Sequence, residues 1–346
     1  NNEVVHQGAY GYKNAAEKIP AGQQDLFFIQ SMTKPVITVA FMMLYEEGHF
    51  MLNDPISKYL PEFKNVRVLK NQNAGINGPT DSLQSQVTIA QILSHSSGLV
   101  HGLGQSNFEK EFRKAYFDPK FTDIQSRASA ITKYPLACQP GTAWNYSMGP
   151  DILSMLIEKF SGMSTRDFLM NRIFKPLGMN DTDYNVSAAN QNRIFQLHTK
   201  GEGTPITLSA NQPKSTGVTL WSGVNGLFTT AKDYGIFCQM LLNNGSWNGN
   251  QFLSRKTIDL MTSNHVGDLF NRPGEGFGLG FAVVTNAAAT QMPGSEGIYY
   301  WAGAYNTHFF IDPKEKLIAL FLTQESNFTN YYHDKLRLFV YQAIAD

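Results

Sequence analysis

The sequence predicts a mixed chain of the α+β type: an antiparallel sheet flanked by helices, with an all-helical segment inserted beside it. Three observations carry this reading. Strand-like stretches lie at both ends of the chain, helical periodicity fills its middle, and the last three strand stretches are joined by short connections that suit antiparallel neighbours. The expected division is 1–60 with 216–346 for the sheet part and 61–215 for the mainly helical part. A cleft between them is the natural place for a site.

Taken in order, Val4 to Tyr12 reads as a strand and Phe27 to Gln30 as a short apolar lead into a helix. That helix carries Val36, Val39, Ala40, Met43 and Leu44 at the spacing of one buried face, and Gly48 ends it. Asn53-Asp54-Pro55 turns the chain into Ile56 to Leu60, and the polar stretch from Asn71 to Ser85 reads as a surface loop. Thr88 caps a short helix over Ile89 to Ser94 that stops by Gly98. Helical patterns follow over 107–117 and 122–133. The next helix, Gly149 to Phe160, aligns Ile152, Leu153, Leu156, Ile157 and Phe160 and is closed by Gly162. Ser164 and Asp167 have the spacing of a capping box, for a helix that runs to Phe174.

From 180 to 215 the chain is polar and loop-like. Helices are expected again over Thr230 to Leu242 and Ser254 to Met261. The strands come next: Gly280 to Val284, Ile298 to Ala304, Thr307 to Ile311 and Leu317 to Thr323. Asn330 to Ala343 closes the chain as a helix.

Composition excludes several classes of function. The 346 residues suffice to bury about three quarters of the unfolded surface. Charge is balanced, 28 basic against 28 acidic residues without a basic run, which argues against a nucleic-acid partner. The longest apolar run, Val36 to Tyr45, is about half the ~20 residues of a membrane span. Cys138 and Cys238 sit in no metal-like spacing and are expected to be two buried thiols, with a disulfide left open. The start, Asn1-Asn2-Glu3-Val4, lacks the profile of a secretory signal, so the chain is expected to be processed or to lack its beginning. G-x-S-x-G, H-E-x-x-H and Walker-type motifs are absent, and Gly274, Gly276, Gly278 and Gly280 lack dinucleotide-binding spacing.

The chemistry points to Gln30-Ser31-Met32-Thr33-Lys34-Pro35. Pro35 fits only in a first helical turn, so the helix begins close to Ser31 and puts Ser31 and Lys34 on one side of its N-terminus. A serine hydroxyl becomes nucleophilic when a neighbouring base takes its proton, and lysine can be that base once burial lowers its pKa from ~10.4 towards 7. With 23 serines and 19 lysines, roughly one S-x-x-K is expected by chance, so the motif alone does not decide.

Two further stretches are candidates. Tyr146, in Trp144-Asn145-Tyr146-Ser147-Met148, stands on a loop before a helix. Its hydroxyl could relay a proton if a lysine ammonium lowers its pKa, or it is simply a core tyrosine. Trp301-Ala302-Gly303-Ala304 lies on a strand. Its glycine allows close approach of a ligand and the next N–H an oxyanion contact, or it is ordinary sheet.

In this order and spacing, Ser31-x-x-Lys34, Tyr146-Ser147-Met148 and Trp301-Ala302-Gly303 resemble the penicillin-recognising serine hydrolases, the class C β-lactamase-like group and its family VIII carboxylesterases in particular. Leu93-Ser94-His95-Ser96-Ser97-Gly98-Leu99, Phe277-Gly278-Leu279-Gly280-Phe281 and Phe310-Ile311-Asp312-Pro313 add to the resemblance, which spans about residues 8 to 346. It implies a β-lactamase/transpeptidase-like fold, Ser31 as the acylated nucleophile, Lys34 as its proton acceptor and Tyr146 as a proton shuttle. The N–H groups of Ser31 and Ala304 would form the oxyanion hole, with Met148, Trp301, Gly303 and Tyr305 facing the substrate. His95 belongs to a structural phrase and stays outside the chemistry.

The family's lactamases carry Asn where Met148 stands and Lys or His where Trp301 stands, and neither Met nor Trp can replace those contacts. The expectation is therefore a carboxylesterase acting on small-molecule esters, without metal or cofactor. A β-lactamase or D-alanyl peptidase is the alternative among enzymes, and an idle binding protein of the same fold the alternative outside them. The sequence fixes neither oligomeric state nor compartment, the bacterial periplasm or secretion being favoured. The resemblance also places a helix and a strand ahead of Val4 to Tyr12. Without them the sheet would expose an edge, to be covered by an upstream segment or a partner chain.

Overall fold

The computed structural model describes residues 3–201, 203 and 205–345. Its central element is helix α1, Thr33–Glu46, entered through a 3₁₀ turn at Gln30–Met32. The sequence suggests one buried face, but every residue from Thr33 to Leu44 is buried. A helix apolar on nearly all sides belongs inside a core. Each Val, Ile, Phe or Met enclosed there contributes about 1.5–3 kcal/mol. Gly48, at φ 82°, takes the left-handed conformation that stops the helix.

α1 packs against α2, Gly149–Ser161, which ends at Gly162 in the left-handed region. Around α2 lie shorter helices whose caps were legible in the sequence. Thr88 and Gln91 form a capping box on Ile89–Leu93, and Ser164 caps Thr165–Leu169. That last helix does not stop at Phe174: it passes through a π turn, Met170–Phe174, into Lys175–Leu177, because Pro176 falls in a first turn. The stretches 71–85 and 180–215 are mainly loop; the first holds a 3₁₀ turn and a short strand paired with Val68–Leu69, the second a 3₁₀ turn and two short paired strands.

On the other side of α1 stands a five-stranded antiparallel meander: β1 Glu275–Phe277, β2 Ala282–Val284, β3 Tyr299–Gly303, β4 Thr307–Asp312 and β5 Leu317–Phe321. β4 shows why the sheet has two covered faces. Phe309 and Ile311 point into the main core with α3, Ala231–Leu242, whereas His308 and Phe310 meet α4, Tyr331–Gln342, through His333 and Tyr341. β1 has no counterpart among the strands expected from the sequence, because it lies within alternating glycines, which are depleted in strands.

The expected strand over Val4 to Tyr12 does not form. Val4 and Val5 are exposed, no strand among the described residues pairs with them, and Gly11 at φ 77° bends the chain. The strand there is Tyr12–Asn14, which among the described residues pairs with Ile19–Pro20 outside the main sheet. Asn1 and Asn2 lie outside the described residues. β5 is an edge with β4 as its one neighbour among the described residues. Cys138 and Cys238 are free thiols, and no helix among the described residues is long and apolar enough to cross a membrane.

Candidate active site

The 3₁₀ turn sets Ser31 where a helix start has N–H groups without partners along the chain. Just before it, Gln30 adopts φ 48°, a left-handed conformation that a side chain adopts only at a cost of about 1–3 kcal/mol. Surrounding bonds hold the turn in place. Ile29 N–H donates to the Leu227 carbonyl at 3.0 Å, and the Tyr234 hydroxyl donates to the Met32 carbonyl at 2.9 Å.

Lys34 is fully enclosed, 1 % exposed. Its Nζ lies 3.0 Å from Ser31 Oγ and donates to the Val224 carbonyl at 3.0 Å. Burial lowers its pKa well below the usual lysine value, with the charge of Asp151 pulling the other way. A neutral amine can give one N–H to Val224 and turn its lone pair to the serine. The sequence offered no sign of Val224, since any residue supplies a carbonyl.

Tyr146 comes to the same place. Its ring lies 4.5 Å from Lys34 Nζ, and its enclosed hydroxyl faces Ser31 and the Trp301 indole without closing a hydrogen bond to either. Burial pushes the phenol up, and no lysine ammonium lowers it. The condition attached to Tyr146 in the sequence, a phenol lowered by a lysine charge, is therefore not met, and burial favours the neutral phenol. Its loop is held by the Leu93–Leu99 phrase. His95 Nδ1 sits 2.9 Å from Ser147 Oγ, and Asn145 N–H donates to the His95 carbonyl at 2.8 Å. Burial, then the nearby Lys34, pushes His95 down to about 3, so it remains a neutral brace.

The third stretch ends β3. Gly303 is needed here because a Cβ would collide with Thr307 Oγ1 and the Ile29 carbonyl. The partner in close approach is therefore the chain's own backbone before Ser31, not a ligand. That contact brings Ala304, exposed in the β3–β4 turn, beside the serine turn. Ala304 N–H takes no backbone acceptor among the described residues. Gly303→Ala is expected to cost about 1–3 kcal/mol of stability by overpacking, measured by thermal denaturation, and to lower kcat as the turn moves.

Trp301 lies half-buried between Tyr146 and Phe277, at ring separations of 5.5 and 5.3 Å. Trp144, Phe270 and Phe277 continue this aromatic wall, and His101 stacks on Tyr146 at 4.9 Å. Tyr305, half-buried, stands at the rim beside the Gln30 side chain. Met148 is a correction: it is 0 % exposed and packs in the main core, so it presents nothing to a ligand. Its position just before α2 buries it under that helix. The indole nitrogens of Trp144 and Trp301, both His101 nitrogens and the Tyr146 hydroxyl are all enclosed without hydrogen-bond partners among the described residues.

A partly exposed serine paired with a buried lysine, a neutral tyrosine and an N–H at a strand end can together perform acyl transfer. Residues 1–341 match the beta-lactamase family. The chain belongs to the beta-lactamase family. It is 32 % identical over 336 residues to Protein Rv1367c of Mycobacterium tuberculosis (strain ATCC 25618 / H37Rv), covering 93 % of this chain and 83 % of that protein. It is 26 % identical over 346 residues to Esterase EstB of Burkholderia gladioli, again covering 93 % and 83 %. The fold also matches EstCE1, a hydrolase with promiscuous acyltransferase activity, at TM-score 0.80 and 22 % identity, over 95 % of this chain and 88 % of that one. This beta-lactamase family member is thus a hydrolase of the β-lactamase fold.

Proposed function

We propose that the protein is a serine carboxylesterase that cleaves small esters through an acyl-enzyme at Ser31. Its site lies in the cleft between the 61–215 part and the sheet part. The observation that carries the reading is the enclosed Lys34 amine, 3.0 Å from Ser31 Oγ. Lys34 takes the hydroxyl proton as Oγ attacks the ester carbonyl, and the N–H groups of Ser31 and Ala304 receive the developing oxyanion. The Tyr146 hydroxyl gives its proton to the departing alkoxide and recovers one from the Lys34 ammonium. Water then enters by the reverse sequence and releases the acid.

Two supports favour esters over β-lactams: Trp301 stands where a cation would hold a carboxylate, and the cleft wall is aromatic. The similarity to an esterase at 26 % identity points the same way. A fluorophosphonate should label one residue, Ser31, located by mass spectrometry of the digested protein, and abolish hydrolysis of p-nitrophenyl butyrate. Labelling elsewhere, or none, would remove the nucleophile assignment and favour a non-catalytic protein of this fold.

A further inference from the structure

Behind the reacting atoms lies a buried charge cluster that the proposed mechanism leaves unused. Asp151, in the first turn of α2, is 0 % exposed. One of its oxygens, Oδ1, accepts from Ser222 Oγ at 2.7 Å, Gly223 N–H at 2.8 Å and Val224 N–H at 3.2 Å. The other, Oδ2, accepts from Arg127 Nε at 2.9 Å, Arg127 Nη2 at 2.5 Å and the Tyr116 hydroxyl. Arg127 Nη2 also donates to Ser222 Oγ at 2.6 Å. Gly223 sits so close to the Pro150 carbonyl that a Cβ would collide with it, which locks the segment onto the start of α2. Every bond on Oδ1 thus grips one short segment, and the last residue of that segment is the one whose carbonyl holds Lys34.

We propose that Asp151 is a positioning residue for Lys34, fixing through Ser222–Val224 the carbonyl that turns Lys34 Nζ towards Ser31. Burying a carboxylate and a guanidinium is costly compared with an apolar pair, and it is understandable where the pair sets a geometry. The carboxylate has a second effect: its charge is the one influence that raises the Lys34 pKa against burial, so the base keeps enough basicity to take a proton. Arg127, Tyr116 and Tyr184 surround Asp151, and Tyr146, His95 and His101 surround Lys34. The inference rests on Lys34 being the base.

Asp151→Asn keeps the volume and removes the charge. In the folded variant, kcat for a short aryl ester is expected to fall roughly tenfold to hundredfold with KM nearly unchanged, as for a base displaced by a fraction of an ångström. The acid limb of the kcat/KM profile should move to lower pH, because the charge that raises Lys34 is gone. A carboxylate that only stabilised the fold would lower the melting temperature and leave both the limb and kcat in place, and that result overturns the proposal. If Asp151→Asn does not fold, Ser222→Ala decides: it retains every charge but loosens the segment, so a lowered kcat supports the proposal and a native kcat refutes it. An inactive Lys34→Ala beside an unaffected Asp151→Asn sinks this inference alone. A near-native Lys34→Ala sinks the base assignment and this inference with it.

Discussion

Ser31→Ala is expected to lower ester hydrolysis by on the order of 10⁶, with the melting temperature almost unchanged. The loss is large because serine, base and oxyanion contacts act as one unit, so removing the nucleophile forfeits most of what the others supply. Ser31 is only partly buried and its hydroxyl meets Lys34, so alanine leaves no sizeable cavity. Steady-state rates on p-nitrophenyl butyrate test this, and a variant retaining a tenth of the native rate would disprove it.

Lys34→Met should be nearly as inactive, and it separates the base from the fold. Methionine fills similar volume without a charge. In the native chain the folded lysine has a pKa below the unfolded value of ~10.4, so over that interval the unfolded state binds the extra proton. Native stability should therefore rise, relative to Lys34→Met, as pH increases from 7 towards 10. Parallel urea titrations at several pH values measure the difference. A gap that stayed constant with pH would mean that Lys34 is not buried as a neutral amine.

The parts of this site that were legible in the sequence are those that depend on side-chain chemistry at short range. Pro35 fixed the helix start, and with it the shared direction of Ser31 and Lys34, which the 3.0 Å separation bears out. Thr88 and Ser164 each cap a helix because their oxygens accept from an N–H three residues on, a purely local signal. What stayed hidden depends on backbone brought from afar. Val224 contributes a carbonyl, Gly303 clears space for Ile29, and Asp151 reaches a segment more than seventy residues away. Met148 misled for a related reason. Its neighbour Tyr146 lies against Lys34, but two residues later the chain reaches the cap of α2 and the Met148 side chain is in the core.

That burial sharpens the expected selectivity, which now rests on Trp301 alone. A cephalosporin carries a carboxylate that its hydrolase must hold while the lactam carbonyl is attacked. Here the carboxylate would meet an indole whose single N–H already faces the Tyr146 hydroxyl, inside a wall of Phe270, Phe277 and Trp144. A carboxylate taken from water without a cationic partner costs several kcal/mol, and about 4 kcal/mol is a factor near 10³ in kcat/KM. Short aryl esters carry no such charge and can pack on the same rings. p-Nitrophenyl butyrate should accordingly be preferred to nitrocefin by about 10³, and Trp301→Lys should narrow that ratio from both sides, improving nitrocefin while weakening the ester. Equal efficiency on the two substrates in the native enzyme would reverse the assignment in favour of a lactamase.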